Sequence, residues 1–303
     1  VAYAGRATLE HLASPGFLWD CYRRVAGAAL YLGLFTAPLA LGALKGWARP
    51  SPRALALGLA AFLPMLATDG AFPYFLGLIH EAGLGAPTIP GLEAKPAGLL
   101  GSPLFHAGLS LAALGSLSVW LGRASTLRAA LSEPGLRLLL CCALLQLIPA
   151  LAGRLFFDRY LLPLLPAALL LAARASVPSR AALAGCAALL CWSLTGAADY
   201  LSWNEARWEA GRAAERAGIP PERLLNGIEW NGLLSYEREM SRLRAQKELA
   251  AIGEWDWLDL EGMSAASSFS AQSGAGGAVL LSVPYRTPLS REPGRIFVHG
   301  VKK

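Results

Sequence analysis

The chain has 303 residues, of which 54% are hydrophobic and only 16% are charged. A soluble domain carries about 25% charged residues, so this composition excludes an ordinary soluble protein as a description of the whole chain. The net charge of +6 does not indicate nucleic acid, because no basic stripe with interleaved aromatic residues accompanies it. The five cysteines lack metal-ligand spacing, and we expect them to be small buried hydrophobic side chains.

Charge is distributed unevenly along the chain. Residues 1–199 contain 14 Lys/Arg and 8 Asp/Glu, whereas residues 200–303 contain 13 of each. The whole net charge of +6 (14 − 8) therefore belongs to the first part. This division predicts a membrane region at 1–199 and a neutral soluble domain at 200–303.

Six apolar runs in the first part are close to the length that crosses a bilayer, roughly 20 residues. They lie at residues 25–44, 54–68, 103–122, 138–153, 155–173 and 181–198. We therefore predict an all-α polytopic membrane bundle of about six transmembrane helices. Gln146 is a polar residue inside one run, and we expect it to bind a neighbouring helix.

The loops between these runs differ in charge. Loops at 45–53, 123–137 and 174–180 hold eight Lys/Arg and one acidic residue, whereas the other side holds six basic and seven acidic residues over a greater length. The positive-inside rule places the first set in the cytoplasm. The C-terminal domain is then extracytoplasmic.

The last third of the chain predicts a small α+β domain. An amphipathic helix begins near Leu201 and ends near Gly218, and a second helix is expected over residues 233–251. Residues 264–277 are small and polar, which predicts a flexible loop. Residues 278–284 and 295–301 predict two strands joined by a turn.

The stretch from Phe156 to Arg174, FFDRYLLPLLPAALLLAAR, has its charge at the front edge of an apolar run. Only 14 residues separate Arg159 from Arg174. A helix of that length covers about 21 Å, against a hydrocarbon core of about 30 Å. We expect Arg159 to lie in the outer interface with its side chain extended toward phosphates, and Pro163 to kink the helix below it.

A guanidinium can donate two parallel hydrogen bonds to a phosphate, so Arg159 is a candidate ligand of a lipid phosphate. Tyr160 is a second candidate donor, and Asp158 could orient Arg159 or act as a base. The alternatives are headgroup anchoring without specificity for Arg159, a tyrosine of the aromatic belt for Tyr160, and a simple charge partner at the interface for Asp158. Other arginines at the same predicted membrane edge are Arg154, Arg23 and Arg24.

His80 and Glu81 lie together in the long outer loop at about residues 70–102. A histidine beside a carboxylate could do acid–base work or help to bind a metal. Two adjacent residues also occur in an ordinary solvated loop, which is the alternative. Asp69, at the end of the second run, has the same two interpretations.

RYLLPLLPAALLL at 159–171 resembles the Arg-Tyr-x-x-Pro-x-x-Pro segment of bacterial family 39 glycosyltransferases. These belong to the GT-C superfamily, together with the protein O-mannosyltransferases and the lipid A aminoarabinose transferases. Residues 73–89 are similar to an outer loop of those proteins, and residues 31–41 to one of their helices. Residues 227–236 and 283–300 resemble their C-terminal tail, so the resemblance is spread over most of the chain.

The resemblance implies glycosyl transfer from a polyprenyl-phosphate-linked sugar on the outer face of the bacterial cytoplasmic membrane. In the family, an arginine and a tyrosine at this position hold the lipid phosphate, and here these are Arg159 and Tyr160. The family's general base is an acidic residue in the first outer loop, which this chain lacks, so we name no catalytic residue. A need for a divalent metal stays open. We expect a C-terminal half that is inactive without the missing N-terminal half of the same protein.

A second class of function fits the same sequence: a non-catalytic polytopic scaffold, or a subunit of an envelope-assembly complex. A transporter is disfavoured, because its charged residues should lie near the middle of the bilayer. The charges here cluster at one face instead. Loss of lipid-phosphate binding on replacing Arg159 distinguishes the transferase from the scaffold.

Overall fold

A computed structural model gives the arrangement of the chain. It describes residues 16–44, 52–74, 79–80, 83–84, 102–152, 158–234, 236–237, 240–241, 262–272, 277–286, 288 and 293–301. The chain forms two compact units, one of Val1–Glu81 with Gly101–Leu194 and one of Ala82–Leu100 with Thr195–Lys303. Most described residues are helical, and a small sheet lies in the second unit.

The first unit is a bundle of apolar helices. Among the described residues, three helices are long and apolar enough to cross a membrane, and a fourth span results if one pair bent by 102° is counted as a single crossing. By length and composition the chain is therefore a membrane protein. The helices are α1 (Phe17–Ala43), α2 (Pro52–Asp69), α3 (Pro103–Gly122), α4 (Ala124–Ala130), α5 (Pro134–Ala152), α6 (Leu165–Ala175) and α7 (Arg180–Arg216).

The three long spans are α1, α3 and α7, and the bent pair is α4 with α5 up to Ile148. Helix α2 lies where the second run was predicted, but it is not among the helices that meet this test. The helical crossing predicted over 155–173, with a kink at Pro163, is wrong in its first part, because the helix there is broken rather than kinked. Residues Asp158–Leu161 form a 3-10 turn, and α6 begins only at Leu165.

Two prolines explain the break. Pro163 has no N–H to donate and clashes with the preceding turn, while Pro166 sits in the first turn of α6, where its missing N–H costs nothing. Helix α6 has 11 residues. It rises about 16 Å, roughly half of a hydrocarbon core.

Helix α1 lies at the centre of the bundle. It packs against α2, α3, α5 and α6. Of its most apolar window 61% is buried, against 11% for α7. Close approach depends on small residues: a Cβ at Gly33 would lie 2.7 Å from the Ala113 carbonyl oxygen of α3.

Hydroxyl groups join α1 to α3 inside the bundle. Trp120 Nε1 donates to Thr36 Oγ1 at 2.9 Å, and Thr36 Oγ1 lies 3.3 Å from Ser116 Oγ. Gln146 is exposed on α5, so the prediction that it binds a neighbouring helix is wrong. The expected burial of the cysteines is also wrong for the four that are exposed, which are Cys141, Cys142, Cys186 and Cys191.

Helix α7 continues from the first unit into the second without a break at residues 199–200. It ends at Arg216, and Gly218 follows with a φ of +88°, a conformation that glycine adopts without strain. The prediction that a helix ends near Gly218 is therefore confirmed. The predicted helix over 233–251 falls mostly outside the described residues; the helix seen before it, α8, covers Ile228–Leu234.

The sheet of the second unit has the strand order β3-β4-β6-β5. Strands β3 and β4 are parallel, whereas β6 runs antiparallel to both β4 and β5. The predicted hairpin of 278–284 and 295–301 is confirmed as β5–β6. The strands are β1 (Ile79–His80), β2 (Gly83–Leu84), β3 (Leu224–Leu225), β4 (Ala265–Ser268), β5 (Val279–Tyr285) and β6 (Gly294–Gly300).

The prediction of a flexible loop over 264–277 is wrong for its first part. Strand β4 lies inside the sheet with all four residues buried. Its small side chains fit because one face of the sheet packs closely on α7, where Ala206 and Ala210 line the same core as Ile296 and Val298. Small and polar residues, which are typical of a loop, here form a buried strand.

Candidate functional site

The 3-10 turn Asp158–Leu161 carries the predicted lipid-phosphate residues. The turn packs against α1 and α5. Leu161 and Leu164 hold it in place, with exposed fractions of 1% and 5%. Arg159 and Tyr160 point away from this contact: Arg159 is exposed, and Tyr160 is 38% exposed. The turn therefore carries an exposed guanidinium and an exposed phenol on consecutive residues.

The depth of this turn follows from contacts at the far end of α6. Arg174 NH2 lies 3.0 Å from Glu133 Oε2, and Ser176 Oγ donates to the Leu39 carbonyl oxygen at 3.0 Å. The end of α6 is thus level with the C-terminal end of α1. The turn begins about 16 Å above that level, since α6 rises 1.5 Å per residue. Non-helical backbone within a bilayer is tolerated only where it is buried in protein or lines a cavity.

The structure does not describe the side chains of two of the four predicted ligands of the lipid phosphate. Asp158 belongs to the turn, but only its backbone is described. Arg154 lies outside the described residues. The structure therefore brings Arg159 and Tyr160 together and gives no geometry for the other two side chains.

The predicted pair in the outer loop is described even less. His80 is the second residue of β1, with only its backbone described, and Glu81 lies outside the described residues. Within the part of the chain that the structure describes, no group of three or more His, Cys, Asp or Glu could hold a metal ion.

A second polar cluster joins the start of α1 to the end of α2. Arg23 Nε donates to Asp69 Oδ2 at 2.8 Å, and the Arg23 side chain is 40% exposed. Asp69 thus forms an ion pair with Arg23. The neighbouring Arg24, which the sequence places at the same predicted membrane edge, is buried with 8% exposed.

The same end of the bundle contains a buried serine that the sequence did not single out. Ser110 Oγ accepts from the Phe72 amide at 3.0 Å and lies 3.2 Å from Tyr74 Oη. It also donates to the His106 carbonyl oxygen at 3.1 Å. One serine therefore fixes the segment after α2 onto α3. A serine within an apolar helix looks like any other small residue, so no sequence signal marks it.

The second unit holds a buried arginine at the contact between α7 and α8. Arg207 is 3% exposed, and it donates to Glu229 at 2.7 Å and to Asn204 at 2.6 Å. Its guanidinium lies 5.5 Å from the centre of the Trp203 ring. Gly227, at a φ of +96°, lies against the guanidinium, where no side chain would fit. These contacts hold two helices together.

Tyr285 of β5 is half-buried near the carboxylate of Asp199. Burial, followed by the negative charge of Asp199, raises the pKa of Tyr285 to about 12. A phenol with so high a pKa stays protonated at physiological pH and can donate a hydrogen bond, but it is a poor base.

No family model, curated protein or solved structure matches this chain. The Arg159–Tyr160 turn is the best candidate site, because it combines exposure, positive charge and a break in the helical backbone.

Proposed function

We propose that the chain is the C-terminal, carrier-binding half of a GT-C membrane glycosyltransferase that takes its sugar from a polyprenyl phosphate. The observation that carries this proposal is the exposed Arg159–Tyr160 pair on the 3-10 turn before α6. The resemblance of residues 159–171 to family 39 glycosyltransferases supplies the identity of the carrier.

The chemistry of the turn fits both parts of such a ligand. A guanidinium binds phosphate through two parallel N–H bonds, and a phenol can donate a third. Leucines beside the turn offer an apolar surface for a prenyl chain: Leu162 is 52% exposed and Leu170 is 51% exposed. A lipid whose phosphate binds Arg159 would thus have its tail along α6.

The proposal includes a membrane topology. Helix α2, helix α5 and the turn with α6 complete six crossings, and the C-terminal unit lies on the outer face of the bacterial cytoplasmic membrane. The Arg174–Glu133 ion pair supports this order, because it joins two loops that the positive-inside rule assigns to the cytoplasm. The 3-10 turn then opens toward the outer leaflet.

Binding of a polyprenyl phosphate to the purified chain in lipid nanodiscs tests the proposal. We expect Arg159→Ala to weaken binding about tenfold to a hundredfold, since a hydrogen bond to a charged group contributes about 1.5–3 kcal/mol. Arg159→Lys should recover part of the loss by restoring charge without the fork. Arg174→Ala is the matched control: it removes the same charge from the other end of α6 and should leave binding unchanged.

Equal binding by the Arg159→Ala and Arg174→Ala proteins would contradict the proposal. That result favours the alternative, a scaffold or assembly subunit that needs no lipid carrier. A transfer assay adds a second check, because we expect no sugar transfer from a polyprenyl-phosphate donor by this chain alone.

A further inference from the structure

Helix α8 in the second unit ends in exposed apolar side chains. Leu233 is 72% exposed and Leu234 is 41% exposed, and Tyr236 just beyond the helix is 37% exposed. The preceding turn of α8 is packed, with Trp230 at 3% and Asn231 at 0%, so the exposure is confined to the C-terminal end of the helix. Leu233 is as exposed as Leu183 of α7, at 69%. Consecutive exposed apolar residues are uncommon on a surface that faces water.

Helix α7 shows where the bilayer ends. Four of its leucines are between 59% and 69% exposed, and their spacing of seven, four and seven residues places them on one face. From Arg180 to Leu201 the helix rises about 32 Å, which matches a hydrocarbon core of about 30 Å. We therefore place the edge of the core near Leu201. The four leucines are Leu183, Leu190, Leu194 and Leu201.

Helix α8 is attached to α7 just beyond that edge. Glu229 Oε2 lies 2.7 Å from Arg207 NH2, and the rings of Trp208 and Trp230 lie 5.2 Å apart. Arg207 is six residues past Leu201, about 9 Å along the helix axis. The headgroup region adds roughly 5–7 Å beyond the core on each side, and an interfacial helix buries its apolar face by about 5–10 Å. Helix α8 is therefore attached within reach of the headgroups.

We propose that Leu233, Leu234 and Tyr236 enter the lipid interface at the membrane surface where α7 leaves the bilayer. The occupant of this apolar surface is the bilayer itself, because α7 ties the second unit to it through a continuous helix. Tyrosine is a residue that membrane interfaces favour, since its ring is apolar and its hydroxyl is wet. The proposal does not depend on the reaction that the protein carries out.

Site-specific quenching in nanodiscs tests this contact on the full chain. The five native cysteines are replaced by alanine, and the environment-sensitive fluorophore NBD is attached through Leu233→Cys. Two further variants calibrate the signal: Leu194→Cys on the lipid-facing stripe, and Glu215→Cys, an exposed site of α7 about 21 Å past Leu201. Lipids with a nitroxide in the headgroup or on the upper acyl chain serve as quenchers.

We expect lipid nitroxides to quench the label at 233 at least threefold more than the label at 215. Quenching at 233 no greater than at 215 overturns the proposal. A blue-shifted emission at 233 without lipid quenching also overturns it, because it shows burial against protein. The same measurement with NBD attached through Leu234→Cys is the check on the first label. Lipid quenching at both positions shows a true contact, whereas quenching at 233 alone shows a local effect of the label.

Discussion

The two halves of α7 follow opposite packing rules. Before Leu201 four leucines point outward and Trp192 is only half-buried, with its ring 6.0 Å from that of Phe105. Gly185 lies so close to Pro38 that a Cβ there would be 3.1 Å from it. After Leu201 the largest side chain points inward: Trp203 is 2% exposed, and Glu215 is exposed. Lipid is as apolar as leucine, so burying a leucine between helices in the membrane gains little free energy. Small residues are favoured between such helices because they permit close packing. In water, burial of a large apolar ring is the main stabilising term.

The largest expected effect comes from the water-facing half of α7. Trp203→Ala should lower the free energy of unfolding of the second unit by about 3–5 kcal/mol, because the truncation leaves a cavity between α7 and the sheet. Leu201→Ala, two residues earlier, should change it by less than about 0.5 kcal/mol, as for other exposed positions. Denaturant titration of the chain in nanodiscs, followed by proteolysis of the second unit, measures both. Equal losses would show that the change of environment does not lie between these residues.

A second prediction concerns the half of α7 that is proposed to cross the membrane. Leu190→Arg places a charge near the centre of the proposed crossing, where insertion of arginine costs about 2.5–3.5 kcal/mol. Leu201→Arg should cost much less, because an arginine at the edge can extend its charge into the headgroups. The inserted fraction in a microsome insertion assay measures the difference. Similar insertion of the two variants would argue that residues 180–201 do not form the crossing.

The same contrast explains which parts of the fold the sequence could predict. Helix α3 has the predicted bounds of 103–122, since an uninterrupted apolar run leaves the backbone no other way to satisfy its hydrogen bonds in lipid. The β5–β6 hairpin was also predictable, from two strand-like runs joined by a turn around residues 290–294. Strand β4 was not, because the burial of Ala265–Ser268 depends on β6 and α7, which lie far away in the chain.

The candidate site shows a similar limit. Arg159 and Tyr160 are neighbours in sequence, so their proximity was certain, and the prolines marked a kink. The length of the break was not predictable, because it depends on how Leu161 and Leu164 pack into the bundle. The Arg23–Asp69 pair joins residues 46 positions apart, which only the packing of α1 on α2 brings together.

The smallest expected effect is on the pKa of Tyr285, which responds to the charge of Asp199 near the proposed edge of the hydrocarbon core. The pKa of Tyr285 is about 12, above the value of 10.0 for an unburied tyrosine, first because the ring is buried and second because Asp199 of α7 is negative. The unfolded chain therefore loses this proton first, and stability falls as pH rises from 10 toward 12. The tyrosinate absorbance of the wild-type chain minus that of Tyr285→Phe isolates this one group.

Asp199→Asn separates the two causes of the raised Tyr285 pKa, which are burial of the ring and the negative charge of Asp199. We expect it to lower the pKa of Tyr285 part of the way toward 10.0, because burial, the larger cause, remains. Asp199 is 3% exposed and lies two residues before the proposed edge of the hydrocarbon core. A carboxylate at that depth must be held by protein rather than by solvent, so its charge should act on Tyr285 with little screening by salt. A Tyr285 pKa that the Asp199→Asn change leaves unaltered would show that burial alone raises it.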